Sequence, residues 1–160
     1  RPSDSVDLLG VVSDVTDGLS PVAEQNGLEI GVTAPAGLPK VLGDREELAQ
    51  VVQNLADNAL RYGRSGKRVD ISLDRAEKGG RPYIRLSVRD YGAGIAKEHL
   101  PRLTERFYRV DAAASRARGG TGLGLAIVKH IVNRHQGMLQ IESEIGQGSS
   151  FSVLLPLAPQ

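Results

Sequence analysis

Apolar residues recur at Leu8, Val12, Val15, Leu19 and Val22 within residues 6–26, which is the spacing of one helical face. Leu28 to Thr33 alternates like a strand, and the stretch from Pro35 to Pro39 breaks the pattern. Asp44-Arg45-Glu46-Glu47 has the form of a capping box, so a helix is predicted over about 45–62 with Leu48, Val52, Leu55 and Ala59 as its apolar stripe. Asn54, Asn58, Arg61 and Tyr62 fall on a neighbouring face by the i, i+4, i+7, i+8 rule, placing a polar face beside the buried one. Val69 to Leu73 and Tyr83 to Val88 predict two strands joined by a hairpin through Lys78-Gly79-Gly80. Residues 96–121 predict no long element, and a connection of that length is usually functional or mobile. A helix follows over 123–136, with Leu125, Ile127, Val128, Ile131 and Val132 inward and Lys129, His130, Asn133 and Arg134 outward. Gly137 stands where a helix-ending glycine belongs. Leu139 to Glu142 and Ser150 to Leu155 are two last strands around Gly146-Gln147-Gly148. Hairpins outnumber βαβ units, so the pattern predicts an α+β sandwich, one mostly antiparallel sheet covered on one face by helices.

Composition narrows the class without naming a function. The 160 residues suit one domain, and 40% apolar with 24% charged residues is a globular balance. A formal net charge of +1 gives no electrostatic pull toward nucleic acid or an acidic membrane surface. Absence of cysteine excludes disulfides and cysteine-based zinc sites. No apolar run has the length of a membrane span, and no signal peptide opens the chain. The first residues, Arg1-Pro2-Ser3-Asp4, carry no initiator methionine, so the chain is expected to be a piece of a longer protein.

The chemistry is concentrated in a few residues. Asp90 ends a predicted strand and is followed by Gly92 and Gly94, so a carboxylate could sit deep while backbone approaches a flat ligand. Such a carboxylate accepts from the exocyclic amino group of adenine and repels the oxygen that guanine carries there. The same residues also suit a plain turn. Asn54 and Asn58 offer oxygens one helical turn apart, enough for a magnesium ion that keeps waters and phosphates as its other ligands. Arg61 could neutralise phosphate. Taken singly, these three also suit a solvated helix face. Gly120, Gly122 and Gly124 precede a helix whose first N–H groups would form an anion site. A dinucleotide motif is ruled out, since Ile127 holds the place of its last glycine. Gly63-Arg64-Ser65-Gly66-Lys67 has the wrong spacing for a Walker loop. His99, His130 and His135 show no catalytic or metal-binding spacing.

The ordered set resembles the catalytic domain of sensor histidine kinases. The run from Asn54 to Tyr62, Asn-Leu-Ala-Asp-Asn-Ala-Leu-Arg-Tyr, is similar to their N box, and Asp90-x-Gly92-x-Gly94 to their G1 box. Glu105 to Arg109 resembles the F box, Gly120-Thr121-Gly122-Leu123-Gly124-Leu125 the G2 box, and Gly146-x-Gly148-Ser149-x-Phe151 the closing G3-type element. The resemblance spans about residues 1–157. It implies a Bergerat-type two-layer α/β sandwich that binds ATP and Mg2+. It also implies transfer of the γ-phosphoryl to a histidine on a separate dimerisation and phosphoacceptor domain, with a response regulator downstream. In that scheme Asp90 contacts adenine, with Gly92, Gly94, Ile95 and Ser149 around it. Asn58 holds the metal and serves catalysis. Asn54 and Arg61 flank the metal and phosphates, and Tyr62 walls the nucleotide. Arg109 lies near the γ-phosphate and serves catalysis, Tyr108 also binds nucleotide, Gly120, Thr121, Gly122, Leu123 and Gly124 cradle phosphate, and 96–121 form a lid. Arg61 replaces the commoner Lys and Ser149 the usual Thr. The family's His-Glu…Pro acceptor motif is absent. The fragment is therefore expected to be a cytoplasmic, monomeric catalytic half with ATP or ADP as ligand and no nucleic-acid partner. Rival expectations are a serine kinase of the anti-sigma type and a nucleotide-gated interaction module.

Overall fold

The computed structural model describes residues 2–108 and 123–159. In chain order these form β1 (Asp4–Val6), α1 (Leu8–Gln25), β2 (Glu29–Thr33), β3 (Val41–Gly43), α2 (Arg45–Tyr62), β4 (Arg68–Lys78), β5 (Arg81–Asp90), α3 (Gly124–Arg134), β6 (Met138–Glu144) and β7 (Gly148–Pro156). Short 3-10 helices cover Arg64–Gly66 and Lys97–Arg102. No helix among the described residues is long and apolar enough to cross a membrane.

The main sheet runs β2-β4-β5-β7-β6, with β2 parallel to β4 and the other pairs antiparallel. It is thus mixed and mostly antiparallel, with helices on one face, as the pattern predicts. Alternation decides which face is covered. Val69, Ile71 and Leu73 of β4, Leu86 and Val88 of β5, and Phe151, Val153 and Leu155 of β7 are buried against α1, α2 and α3. Asp74 and Arg85, bonded at 2.7 Å, and Ser87 and Ser152, at 2.9 Å, lie on the uncovered face. Each fully buried branched side chain contributes about 1.5–3 kcal/mol, so α2 is held chiefly by Leu48, Val52 and Leu55, each no more than 1% exposed.

The structure adds a small sheet that the pattern did not predict. β1 pairs antiparallel with β3, Asp4 opposite Gly43 and Val6 opposite Val41. Strands of three residues are too short to show alternation. The β4–β5 hairpin is longer than expected and turns at Gly79-Gly80.

Helix ends show how distant residues replace local ones. Asp44 caps α2, its carboxylate accepting from the Glu47 N–H at 3.0 Å. The second half of the capping box is replaced. Glu47 binds the Arg134 guanidinium at 2.8 and 3.1 Å, and the Asp44 N–H donates to Nε2 of His135 at 3.1 Å. His135 is buried, and its Nδ1 lies 2.8 Å from the Ile131 carbonyl. With Nε2 accepting, Nδ1 carries the ring proton and donates it. The expected inward face of α3 needs one correction, because Ile127 is 41% exposed. Val128, Ile131, Val132 and His135 complete the i, i+3, i+4, i+7 stripe without it. The ending of α3 also differs. Gln136, not Gly137, takes the left-handed conformation with φ 56°, while the Gly137 N–H closes on the Val132 carbonyl at 3.0 Å. Gly137 is needed for space, since a Cβ there would sit 2.3 Å from the Leu154 carbonyl oxygen.

Candidate functional site

The inner face of the sheet changes character in its last row. The preceding row is Ile71, Val88, Phe151 and Ile141, all apolar. The next is Val69, Asp90, Ser149 and Ser143, placed side by side by the strand registers. A carboxylate and two hydroxyls therefore close the end of an apolar layer. Asp90 is 3% exposed and Ser149 is 5% exposed.

Asp90 is held by backbone. Its Oδ1 accepts from the Gly92 N–H at 2.9 Å, and the Ser149 backbone N–H also favours its charged form. Burial raises its pKa above the ordinary carboxylate value, and the two N–H donors and the Arg89 charge only partly oppose this. The roof over Asp90 is the end of α2. A Cβ on Gly63 would lie 2.3 Å from the Asp90 Cβ and 2.6 Å from the Ala59 carbonyl oxygen, so only glycine lets helix and strand meet here. Gly92 packs under the same turn, and Gly94, with φ 79°, lies against the Glu144 carbonyl. The loop is fastened to the β6–β7 hairpin by the Gly146 N–H on the Ala93 carbonyl at 2.8 Å and the Ile95 N–H on Ser143 Oγ at 2.7 Å. Ile95 packs on the core beneath.

One flank of α2 faces the start of α3. Asn54 is half-buried, donates to the Gly124 carbonyl at 3.3 Å, and accepts from Gln50 at 2.8 Å. This joins Asn54 to the Leu123–Gly124 helix start. Asn58 lies one turn on, half-buried, and Tyr62 at the helix end is 36% exposed. Arg61 is placed apart from them. It lines a cleft of about 320 Å³ between the C-terminal ends of α1 and α2, with Val22, Asn26, Asp57 and Arg64.

The segment after Ile95 is more ordered than the pattern predicts. The 3-10 helix Lys97–Arg102 carries His99, whose Nδ1 bonds the Tyr108 hydroxyl. The Arg102 guanidinium lies 4.3 Å from the centre of the Tyr108 ring, and Leu103 is buried. Phe107, within the F-box-like run, is 68% exposed with φ 65°. Arg109, Gly120, Thr121 and Gly122, with half of the expected lid, lie outside the described residues. Sequence reasoning missed Gly63, Ser143 and His135. Gly63 entered the sequence reading only as the start of a rejected Walker loop, and the other two depend on which strand or helix end the fold sets beside them.

The arrangement is a deep, acceptor-rich end of a sheet, open beside a helix that carries two amide side chains. A family model described as histidine kinase-, DNA gyrase B-, and HSP90-like ATPase matches residues 43–159. The sensor-like histidine kinase SenX3 of Mycolicibacterium smegmatis is 42% identical over 156 residues, covering 98% of this chain and 39% of that protein. The sensor protein SrrB of Staphylococcus aureus is 44% identical over 113 residues, 71% of this chain and 19% of that protein. Among solved structures, full-length ShkA in complex with AMPPNP aligns with a TM-score of 0.84 and 33% identity over 99% of this chain and 32% of that one. The mycobacterial sensor histidine kinase MprB aligns with a TM-score of 0.81 and 28% identity over 99% of each chain. The chain thus spans well under half the length of those curated relatives.

Proposed function

The chain belongs to the histidine kinase-, DNA gyrase B- and HSP90-like ATPase family, and from that premise we propose that it is the catalytic ATP-binding domain of a sensor histidine kinase. It takes Mg-ATP and passes the γ-phosphoryl to a histidine on a separate helical domain of the parent protein, upstream of a response regulator. The observation that carries this reading is the buried Asp90 carboxylate in register with Ser149 and roofed by Gly63. A buried carboxylate with no cation in hydrogen-bond contact among the described residues is suited to a neutral ligand edge that donates protons, such as the 6-amino edge of adenine.

Asn58 fits magnesium by its chemistry. It supplies a hard oxygen on a half-buried helix face, and among the described residues no group of three or more His, Cys, Asp or Glu forms a metal cage. A site of this kind leaves most ligand positions to phosphates and waters. Bound there, magnesium would neutralise developing phosphate charge. Asn54 orients the start of α3, where Leu123 and Gly124 lead into the helix N–H groups. Tyr62 stands at the wall, and Arg61 reaches phosphate by swinging from its cleft. Tyr108 and Arg109 serve the γ-phosphate end, with Gly120, Thr121 and Gly122 as cradle. These residues act by positioning and charge neutralisation.

The test has two stages. Calorimetry should show ATP and ADP binding more tightly than GTP. The chain should then label a helical acceptor domain of the same parent protein, supplied in trans, with phosphate from radioactive ATP, and should not label itself. Binding without transfer to that domain would favour an interaction module. Acid-stable label on serine would favour the anti-sigma type of kinase. Equal affinity for ATP and GTP would overturn the adenine assignment.

A further inference from the structure

We propose that Ser143, on β6, is the positioning residue that makes the end of the pocket selective for a 6-amino purine over a 6-oxo purine. The inference rests on the reading of Asp90 as the ligand-edge acceptor and adds a residue that no motif contains.

Ser143 Oγ accepts from the Ile95 N–H at 2.7 Å. It lies 3.0 Å from the Gly148 carbonyl, to which it can only donate, and 2.7 Å from Ser149 Oγ. A serine hydroxyl has one proton and two lone pairs. The arrangement that satisfies all three neighbours gives the Ser143 proton to Gly148 and its lone pairs to Ile95 and Ser149. Ser149 must then donate its own proton to Ser143. Its N–H lies on the Asp90 side, where it favours the charged carboxylate. Nothing is left on Ser149 but lone pairs, and its neighbour across the register is a carboxylate. A ligand edge entering this row meets acceptors only. An amino group satisfies them, whereas a carbonyl oxygen would face them unpaired.

Remove the Ser143 hydroxyl and the constraint is lifted. Ser149 can then rotate its proton toward the ligand and offer a donor to a 6-oxo group. Ile95 also loses the acceptor that fastens the loop after Asp90. Ser143 thus acts through Ser149 and Ile95 without touching the ligand.

The experiment measures affinities for ATP, GTP and the triphosphate of purine riboside, which lacks the 6-amino group, by calorimetry on the 160-residue chain. Ser143→Ala should narrow the ATP-to-GTP affinity ratio by about tenfold, the scale of one hydrogen bond made or lost at a buried site. Ser143→Thr, which keeps the hydroxyl, should restore it. Hydrogen exchange at the Ile95 amide should speed up about tenfold in the Ala variant while β5 core amides stay protected. In a Ser149→Ala background, Ser143→Ala should narrow the ratio no further, as expected of residues acting in series. A parental ratio in Ser143→Ala, or equal losses in both backgrounds, would overturn the proposal. If circular dichroism shows Ser143→Ala unfolded, Ser143→Cys takes its place, keeping the shape and weakening the hydrogen bonds, with the same two deciding outcomes. Asp90→Asn separates this from the parent reading: unchanged ATP affinity there would reject the nucleotide site itself, whatever Ser143 does.

Discussion

At its N-terminal end α2 is tied down by Asp44, His135 and Arg134, which join it to the far end of α3. At its C-terminal end it meets the loop after Asp90 through the bare backbone of Gly63 and leaves Asn58 and Tyr62 beside the opening. The first end satisfies polar groups within the fold. The second keeps a buried carboxylate whose charged form the fold disfavours. One helix therefore carries stability at one end and the proposed ligand chemistry at the other, and substitutions at the two ends should separate cleanly.

The largest expected effect lies at the tied end. His135→Ala removes two buried hydrogen bonds and leaves a cavity beside Gly43, so urea denaturation should show a loss of about 2–4 kcal/mol. Nucleotide affinity of the folded fraction should stay as in the parent; a matching loss of affinity would break the comparison. Next comes the open end. Asp90→Asn turns an amide donor toward a donating ligand edge and should weaken ATP by about 1–3 kcal/mol or more, read by calorimetry, with the thermal melt retained. A smaller effect is expected for Asn58→Ala, about 1 kcal/mol in ATP affinity with magnesium and less with chelator. Equal losses in both media would remove the metal role.

Acid should act on the two ends with opposite sign, by a modest amount. Glu47 has a lowered pKa, chiefly through its hydrogen bond to Arg134, so its contribution is present above the ordinary value of 4.5 and is lost as pH falls. Asp90 has a raised pKa, so the folded state holds its proton more tightly than the unfolded chain. Its penalty is relieved as pH falls through the folded value. Relative to Glu47→Gln, the parent should lose stability below about pH 5; relative to Asp90→Asn it should gain. Melting curves from pH 7 to pH 4 would test this, and slopes of one sign for both pairs would refute the assignment of burial at one end and ion pairing at the other.

What could be seen in advance follows from the range of the signal. α2 was legible to its last residue because stripe and cap agree within one stretch. The antiparallel sheet and its helix-covered face followed from alternation and turns. β1 and β3 were invisible because three residues carry no period. His135 looked like a stray histidine because its partner Asp44 stands 91 positions away. Ser143 could not be singled out, since its meaning depends on which serine of β7 lies opposite. Ile127 failed for a different reason: neighbouring apolar residues on a short helix leave the edge of the inward face undetermined by periodicity.

The β4–β5 hairpin has a practical consequence. Its Gly79-Gly80 turn closes the end of the sheet opposite Asp90, and the length of β5 at about 3.3 Å per residue sets the turn about 30 Å from that carboxylate. The chain has no cysteine. A single thiol introduced by Lys78→Cys or Arg81→Cys, both exposed at the turn, would be unique in the molecule. A dye or surface tether attached there would be remote from Asp90 and from the C-terminal end of α2. The fold thus supplies its own handle for watching tumbling, and for testing the proposed docking and transfer, without disturbing Asp90 and its neighbours.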